Sequence, residues 1–247
     1  MRERLPSIAD RLSIRERPAN SPIMYQSWGK LLFMHWQTPP EALRRLIPER
    51  LSIDTFDGKA WVGLTPFTIW DARTIFMPPL PCLSDFHELN VRTYVHLDGV
   101  PGVWFFSLDA NSMAAVIGAR TFFHLPYYNA HISLNPRDNT VAYSSTREGA
   151  DTPTNFEATW TIGADLPQPP PDSLDFFLVE RYCLYTSDGG KLYRCRIFHK
   201  PWPLQQASLM TYRSSMLEAN GLPSPAGRPL SRGGGPVNVE IWPLEEV

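Results

Sequence analysis

The chain has 247 residues, of which 43% are hydrophobic and 19% charged, so it can bury one sizeable core and is neither disordered nor a coiled coil. A net charge of -2 provides no cationic field that would attract nucleic acid or anionic lipid. The 25 prolines are roughly twice the usual share of about 5%. They separate short apolar runs, which argues against an all-helical fold.

Neither a membrane span nor a disulfide framework is indicated by the sequence. No stretch approaches the roughly 18 continuous apolar residues of a span, and the charged residues 1–17 form no apolar signal core. The three cysteines, Cys82, Cys183 and Cys195, are odd in number and lack CxxC spacing, so we expect them to be reduced. These features predict a cytoplasmic protein with no membrane partner.

The first predicted elements are a peripheral segment, a strand and a helix. Residues 1–20 are charged and carry a weak helical periodicity broken by two prolines, which predicts a mobile tail or a peripheral helix. The run KLLFMHW at residues 30–36 is typical of a buried strand. Thr38-Pro39-Pro40-Glu41 then predicts the start of a helix that ends at Pro48.

Paired strand patterns predict three hairpins along the middle of the chain. Asp57-Gly58 and Asp98-Gly99 favour tight turns because both turn positions tolerate a positive φ. The predicted strand pairs are residues 50–56 with 59–67, 86–97 with 100–110, and 131–134 with 140–145. The next strand, TNFEATWTI, alternates apolar and polar residues, as a sheet with one covered face requires.

The last third of the chain is predicted to hold a fourth hairpin around Asp188-Gly189-Gly190. It pairs residues 175–186 with 191–200, and a three-residue loop would set Cys183 opposite Cys195. Other predicted elements are helices at 111–122, opened by an Asn or Ser cap, and at 204–219, a surface loop at 228–236 and a final strand at 237–242.

Eight or more short strands with few helices between them predict a mainly β fold. We expect an antiparallel meander, closed as a barrel or packed as a sandwich, with a few peripheral helices. Residues 21–247 are expected to form one domain behind the charged segment of residues 1–20.

Alternation along the predicted strand 86–97 places five polar or aromatic side chains on one face. They are Glu88, Asn90, Arg92, Tyr94 and His96. One interpretation is a solvated outer face, which antiparallel sheets often have. The other is a polar-lined interior, where acid, amide and guanidinium groups would bind a small anionic or carbonyl compound.

The next predicted strand carries two further polar residues. Ser107 and Asp109 share a face with Val103 and Phe105 if the alternation is regular. Asp109 is also placed to cap the following helix, which we favour over catalysis. Glu180-Arg181-Tyr182 is interpreted as a strand-end salt bridge.

Common catalytic signatures are absent from the sequence. The six histidines show neither HExxH nor a short paired spacing with cysteine, so we predict no metal. No GxSxG, Walker loop or GxGxxG after a strand is present, and we predict no cofactor.

Several runs together resemble the uncharacterised YqjF-like family, which groups with the acetoacetate decarboxylase-like superfamily. The runs are LLFMHW, EALRRLIPERLSIDTFDGKAWVGLTPF, FHELNVRTYV, GVPGVWFFSLDA, FHLPYYNAHISL and FLVERYCLYT, between about Trp28 and Trp202. The resemblance implies an antiparallel β-barrel-like body around a small-molecule pocket.

The resemblance also implies that decarboxylase chemistry is missing. Decarboxylases of the superfamily use a Pro-Lys-Lys run whose amine forms a Schiff base, and this chain has Pro126-Tyr127-Tyr128 there. A pocket arginine falls at Gly29 and a pocket glutamate at Trp61, so both groups are lost. A second pocket glutamate aligns with Glu88, which favours the polar-interior interpretation.

We therefore predict Glu88 as general acid or base, Arg92 as the clamp for a carboxylate or enolate, and Tyr127 as a hydrogen-bond donor. The predicted ligand-binding residues are Asn90, Tyr94, Ser107, Asp109, Arg120 and Tyr128. One functional hypothesis is an acid/base enzyme acting on a small oxo acid or polyketide-like compound. The alternative is a non-catalytic binding or sensor protein for a small ligand. By analogy with the superfamily, a homo-oligomer is expected.

Overall fold

The computed structural model describes residues 4–79 and 84–247. Within these ranges, fourteen strands form one sheet and five short helices lie around it. The helices are α1 Ile8–Ser13, α2 Pro40–Arg44, α3 Met113–Phe123, α4 Leu174–Val179 and α5 Met216–Ala219. The strands are β1 Met24–Gly29, β2 Leu31–Thr38, β3 Ser52–Ile53, β4 Ala60–Thr74, β5 Phe86–Leu97, β6 Val100–Ala110, β7 Tyr127–Arg137, β8 Thr140–Arg147, β9 Asn155–Asp165, β10 Cys183–Asp188, β11 Lys191–His199, β12 Leu204–Ser214, β13 Leu230–Gly234 and β14 Val237–Glu246.

The sheet closes on itself twice because β1 pairs with β4 and β5 pairs with β6. One closure joins β1, β14, β11, β10, β6, β5 and β4, and we call it the hollow ring. The other joins β6, β7, β8, β9, β12, β13, β2, β4 and β5, and we call it the filled ring. Strands β4, β5 and β6 form a wall that both rings share.

The shared wall divides its side chains between the two interiors, because successive residues of a strand point to opposite faces. Leu64 and Val91 face the filled ring, where they pack with Tyr143, Phe156 and Trp160 into a continuous hydrophobic core. The neighbouring residues of the same strands face the hollow ring. The hydrophobic core of the filled ring thus supports one side of the shared wall, and the other side of this wall lines the hollow ring.

The mainly β architecture with few helices is confirmed. Most pairings are antiparallel, and β6 adds two parallel pairings, with β10 and with β7. Asp98 and Gly99 have φ of 50° and 83°, as the predicted tight turn requires. Asp57 and Gly58 also turn the chain, but only the Phe56–Lys59 bridge follows the turn. Strand β3 pairs with β5 and not with β4, contrary to the predicted hairpin.

Residues 175–186 do not form one continuous strand, contrary to the prediction. The apolar run DFFLV lies in helix α4, capped by the Ser173 side chain, and β10 begins only at Cys183. The β10–β11 loop has two residues, Gly189 and Gly190, which sets Cys183 opposite Arg196 and Cys195 opposite Leu184. The two thiols are therefore not directly opposed, and both are free.

Two other predictions at the end of the chain were wrong. Residues 204–214 form strand β12, which pairs with β9 and β13, and only the four residues of α5 are helical. The loop predicted at 228–236 contains strand β13, which pairs with β2. The prediction for α3 was close, since Ser112 caps the helix and Met113 begins it. In the two described ranges, no helix is both long and apolar enough to cross a membrane.

Candidate active site

A cavity of about 350 Å³ occupies the hollow ring. Its walls are mostly apolar, with Trp28, Phe33, Phe67, Phe105 and Trp202 among the lining side chains. The exposed lining residues belong to the end of β4, the connection after it, and helix α3. The entrance therefore lies between these segments, and α3 forms part of its rim.

Strand β5 places three polar side chains in a row along the cavity wall. Glu88, Asn90 and Arg92 all line the cavity, as alternation along the strand predicts. Ile69, near the entrance end of β4, pairs with Phe86. Glu88 is consequently nearer to the entrance, and Arg92 lies deeper.

Glu88 is held in a dry environment beside a tyrosine. Its side chain is buried, and the Tyr127 hydroxyl donates a hydrogen bond to Oε2 at 2.5 Å. The Asn90 amide donates to Oε1 at a longer 3.4 Å. Burial raises the pKa of Glu88 to about 7, although both hydrogen bonds favour the ionised form. The carboxyl is thus able to exchange a proton near neutral pH, as general acid/base catalysis requires.

Two polar atoms beside Glu88 have no partner in the described part of the chain. Thr65, which pairs directly with Asn90 across β4 and β5, leaves its hydroxyl Oγ1 unbonded. The Asn90 side-chain oxygen Oδ1 is also unbonded. Both residues are buried and line the cavity. Buried polar groups are normally satisfied, so these atoms indicate where a polar ligand group would lie.

Arginines form the deeper part of the site. Arg92 and Arg181 both line the cavity, and their guanidinium carbons lie 5.8 and 4.6 Å from the centroid of the Tyr94 ring. Tyr94 itself is fully buried behind them, with its hydroxyl 2.7 Å from His35 Nε2 and donating to the Leu178 carbonyl at 2.8 Å. The structure therefore places Tyr94 in support of the arginines and not on the cavity wall.

A β-bulge removes Ser107 and Asp109 from the cavity. Val91 pairs with Ser107 and Arg92 with Phe105, so Phe106 is an extra residue that reverses the alternation. Val103, Phe105 and Leu108 line the cavity. The expectation that Ser107 and Asp109 share a face with Val103 and Phe105 was therefore wrong.

Ser107 and Asp109 belong instead to a buried polar cluster with Arg147. The Arg147 guanidinium donates to Asp109 Oδ1 at 2.7 Å and to the Ser107 hydroxyl at 2.8 Å. Burial raises the pKa of Asp109 despite the Arg147 contact. The cap of α3 comes from Ser112 and not from Asp109.

Arg120 and Tyr128 also lie outside the cavity lining. Arg120 is exposed on α3, and its Nε donates to the Tyr127 carbonyl at 2.6 Å. The Tyr128 ring packs under the Arg147 guanidinium at 4.0 Å and under Arg120 at 5.5 Å. Both residues therefore support the segment that carries Tyr127, and neither of them lines the cavity.

All four lysines of the chain are exposed, and none lines the cavity. They are Lys30, Lys59, Lys191 and Lys200. Tyr127, at the position where the superfamily resemblance implies a lysine, has its pKa raised well above the ordinary value by burial and by Glu88. The cavity described here thus presents a phenol and a carboxyl where an amine would be needed for an imine.

Sequence reasoning missed Arg181, Thr65 and His199 as lining residues. Arg181 follows α4 in an irregular turn, so no strand alternation points to it. His199 is buried against Tyr182, with ring centroids 4.5 Å apart, and burial lowers its pKa. Among the described residues, no three histidine, cysteine or acidic side chains converge as metal ligands would.

The sequence matches the model of the DUF2071 family, described as an uncharacterized conserved protein, over residues 25–233. The chain belongs to the DUF2071 family. It is 40% identical over 224 residues to the uncharacterized protein YqjF of Bacillus subtilis (strain 168), covering 91% of this chain and 92% of that protein.

Solved structures similar to this DUF2071 protein share its fold at low sequence identity. The enduracididine biosynthesis enzyme MppR, complexed with pyruvate, superposes with a TM-score of 0.64 at 12% identity, covering 92% of this chain and 91% of that one. The acetoacetate decarboxylase of Legionella pneumophila superposes with a TM-score of 0.62 at 13% identity, covering 98% and 96%. These matches confirm the acetoacetate decarboxylase-like fold.

Proposed function

We propose that this DUF2071 protein is an enzyme that transfers a proton on a small oxo acid or polyketide-like compound inside the hollow ring, without forming an imine. The observation that carries the proposal is Glu88, a carboxyl with a pKa of about 7 buried at the wall of a mostly apolar cavity. Perturbed acids in clefts are typical of general acid/base catalysts.

In this proposal the Glu88 carboxylate removes a proton from the carbon beside a ketone. The C–H electron pair becomes the C=C bond of the enolate, and the carbonyl oxygen takes the negative charge. The unbonded Thr65 hydroxyl on the neighbouring strand β4 would donate a hydrogen bond to this oxygen and stabilise it. Glu88 then returns the proton to the same carbon or to another, so the net reaction is an isomerisation or an exchange.

Tyr127 has a different role from the donor to substrate that the sequence predicts. Its hydroxyl is already bonded to Glu88 Oε2, so it orients the carboxyl and favours the ionised form. Arg92 stays in the role predicted for it, as the group that holds a carboxylate. The exposed lysines explain why an imine-forming mechanism is not part of the proposal.

A second candidate, ligand binding without turnover, is favoured by the aromatic walls of the cavity. Trp28, Phe33, Phe67 and Phe105 offer a large apolar surface and no chemistry. The same cavity would then serve a sensor or carrier for a weakly acidic ligand. Self-association of the chain stays a prediction by analogy.

Hydrogen–deuterium exchange on oxo acids distinguishes the two functions. The purified protein is incubated in D2O with acetoacetate, 2-oxobutyrate and longer oxo acids, and proton NMR follows loss of the C–H signals beside the ketone. We expect at least one of these oxo acids to exchange above the buffer rate, and this exchange to be reduced about 100-fold or more in Glu88→Gln, the range typical for loss of a general base. Glu245→Gln, an exposed carboxyl on β14, is the control. Full exchange by Glu88→Gln would refute the assignment, and saturable binding without exchange by the wild type would favour the second candidate.

A further inference from the structure

The deep end of the cavity carries two guanidiniums with free N–H groups. Arg181 is buried, with Nε donating to the Phe177 carbonyl and Nη1 to Asp54 Oδ2, both at 2.7 Å. Its Nη2 has no partner within the described residues. Arg92 donates from Nη2 to the Leu178 carbonyl at 3.4 Å, and its Nε is likewise unbonded.

Positive charge exceeds negative charge at this end. The Asp54 carboxylate is shared between Arg181 and Arg11, each 2.7 Å away. Arg92 forms no ion pair with any acid in the part of the chain that is described. The positive charge also acts on His35. Burial is the main cause that lowers the pKa of His35 well below its ordinary value, and the charges of Arg92 and Arg181 lower this pKa further. A buried excess of positive charge is costly unless an anion compensates it.

The distance between this end and Glu88 sets a length for the ligand. Glu88 and Arg92 are four residues apart on β5, so their Cα atoms are separated by about 13 Å. Aromatic side chains line the cavity at both levels, since Phe67 pairs with Glu88 and Phe105 pairs with Arg92. Pyruvate, with three carbon atoms, is much shorter than this separation.

We infer that Arg92 and Arg181 form a carboxylate-binding subsite, and that the ligand is an elongated oxo acid whose carboxylate is several bonds away from its ketone. The Arg92 Nε–H and Arg181 Nη2–H groups donate to the carboxylate oxygens, the aromatic walls cover the apolar chain, and the ketone lies beside Glu88, Asn90 and Thr65. The ketone assignment rests on the proposed function, whereas the carboxylate subsite does not.

Isothermal titration with 7-oxooctanoate and its neutral amide, 7-oxooctanamide, tests the subsite. We expect the acid to bind the wild type at least about tenfold more tightly than the amide, since charge-assisted hydrogen bonds add affinity. The ratio should fall toward one in Arg181→Gln and in Arg92→Gln. Arg194→Gln, at an exposed ion pair with Glu245, should keep the wild-type ratio.

Arg181→Lys is the second variant, because it keeps a charge beside Asp54 but has no guanidinium fork. Circular dichroism shows which variants are folded. Equal binding of acid and amide by the wild type, or no binding of either at millimolar concentration, would overturn the subsite. So would an unchanged ratio in folded Arg92→Gln and Arg181→Lys.

The isomers 7-oxooctanoate and 2-oxooctanoate test the position of the ketone. With the carboxylate held by the arginines, only the 7-oxo isomer brings its ketone to Glu88, so we expect Glu88-dependent deuterium exchange with that isomer alone. Faster exchange of the 2-oxo isomer would overturn the elongated ligand. Acid-selective binding without exchange of either isomer would leave the subsite standing and refute the proposed proton transfer.

Discussion

Glu88 couples the stability of the protein to pH in the direction opposite to most carboxyl groups. Its folded-state pKa of about 7 lies above the ordinary value of 4.5, so the native protein binds this proton more tightly than the unfolded chain does. The stabilisation is complete below pH 4.5 and is lost as the pH rises through 7. The site thus imposes a cost on the fold at neutral pH, as functional sites often do.

Replacing Glu88 by Gln should remove this pH dependence. The neutral amide keeps a hydrogen-bond acceptor for Tyr127, so the free energy of unfolding of the variant relative to wild type should rise by about 3 kcal/mol between pH 4.5 and pH 8. Denaturant titrations of both proteins at several pH values measure the difference, which cancels the opposite contributions of buried histidines such as His35 and His199. A constant difference across this range would show that Glu88 does not titrate as described.

Tyr127→Phe should raise the pKa of Glu88 above about 7. The lost hydrogen bond is one that favours the carboxylate, so its removal favours the protonated acid. Carbon-13 NMR of the labelled glutamate carboxyl measures the titration. Tyr143→Phe is the matched control, because the Tyr143 hydroxyl donates to the Glu88 backbone carbonyl at 2.9 Å and not to the carboxyl. A lowered pKa in Tyr127→Phe would contradict the assigned role.

The residues of the site were predictable where a strand is regular. Alternation on β5 brings Glu88, Asn90 and Arg92 to one wall, and the structure has them there. Ser107 and Asp109 were misplaced because one extra residue in β6 reverses every later side chain, and no local pattern announces the bulge. Arg181 follows helix α4, whose sequence is equally compatible with a strand. Its position in the cavity could therefore not be predicted from alternation.

At the scale of the elements, close packing between β6 and β10 depends on a glycine, which has no side chain. A Cβ atom at Gly102 would lie 2.7 Å from the Tyr185 ring and 3.0 Å from the Cys183 carbonyl. The ring cannot move aside easily, because it is buried and its hydroxyl donates to the Val100 carbonyl. This contact allows the parallel pairing that closes the hollow ring on one side.

Alanine substitutions at two glycines should therefore have opposite effects. Gly102→Ala should lower the free energy of unfolding by about 1–3 kcal/mol through overpacking. Gly118→Ala, where a Cβ on α3 meets nothing within 4 Å, should raise it by about 0.5–1 kcal/mol because alanine favours the helix. Urea titrations measure both, and a neutral Gly102→Ala would show that Tyr185 yields readily.

The type of an element was hardest to predict where tertiary pairing decides it. Residues 204–214 have good helix formers, yet β9 and β13 pair with both edges of this segment and hold it as β12. The segment 174–179 has strong strand formers, yet the Ser173 cap and the burial of four of its five apolar residues, two of them under Arg11 and Arg15, favour α4. Local propensity is overridden in both cases.

At the scale of the whole molecule, residues 4–17 form an N-terminal strap that ties distant parts of the chain. Arg11 binds Asp54 through two hydrogen bonds of 2.7 Å, Arg17 reaches Glu240 on β14, and the Arg196 side chain on β11 donates to the Ile14 carbonyl. The segment predicted as a tail or peripheral helix thus contributes a half-buried charge, which Asp54 links to the cavity residue Arg181.

Arg11→Ala should destabilise the protein by about 2–3 kcal/mol, because it removes a bidentate partner from a fully buried carboxylate. Although burial alone would raise it, Arg181 and Arg11 together hold the pKa of Asp54 below its ordinary value. Without Arg11 the folded-state pKa of Asp54 should rise, so the variant should lose less stability than wild type as the pH falls, and the difference between the two proteins should shrink at low pH. Arg4→Ala, whose side chain is 70% exposed, should change stability by less than about 0.5 kcal/mol. Equal effects of the two substitutions would contradict this role of the strap.

The shared wall of β4, β5 and β6 separates a packed interior from an open one. Cohesion comes from the ring packed around Trp160 and Phe156, whereas the other ring is free to stay open. Changes to the inward side chains of β1, β11 or β14 would remodel the chamber and leave the packed half untouched. Such an arrangement permits relatives to acquire new ligands through a few substitutions while keeping the same backbone.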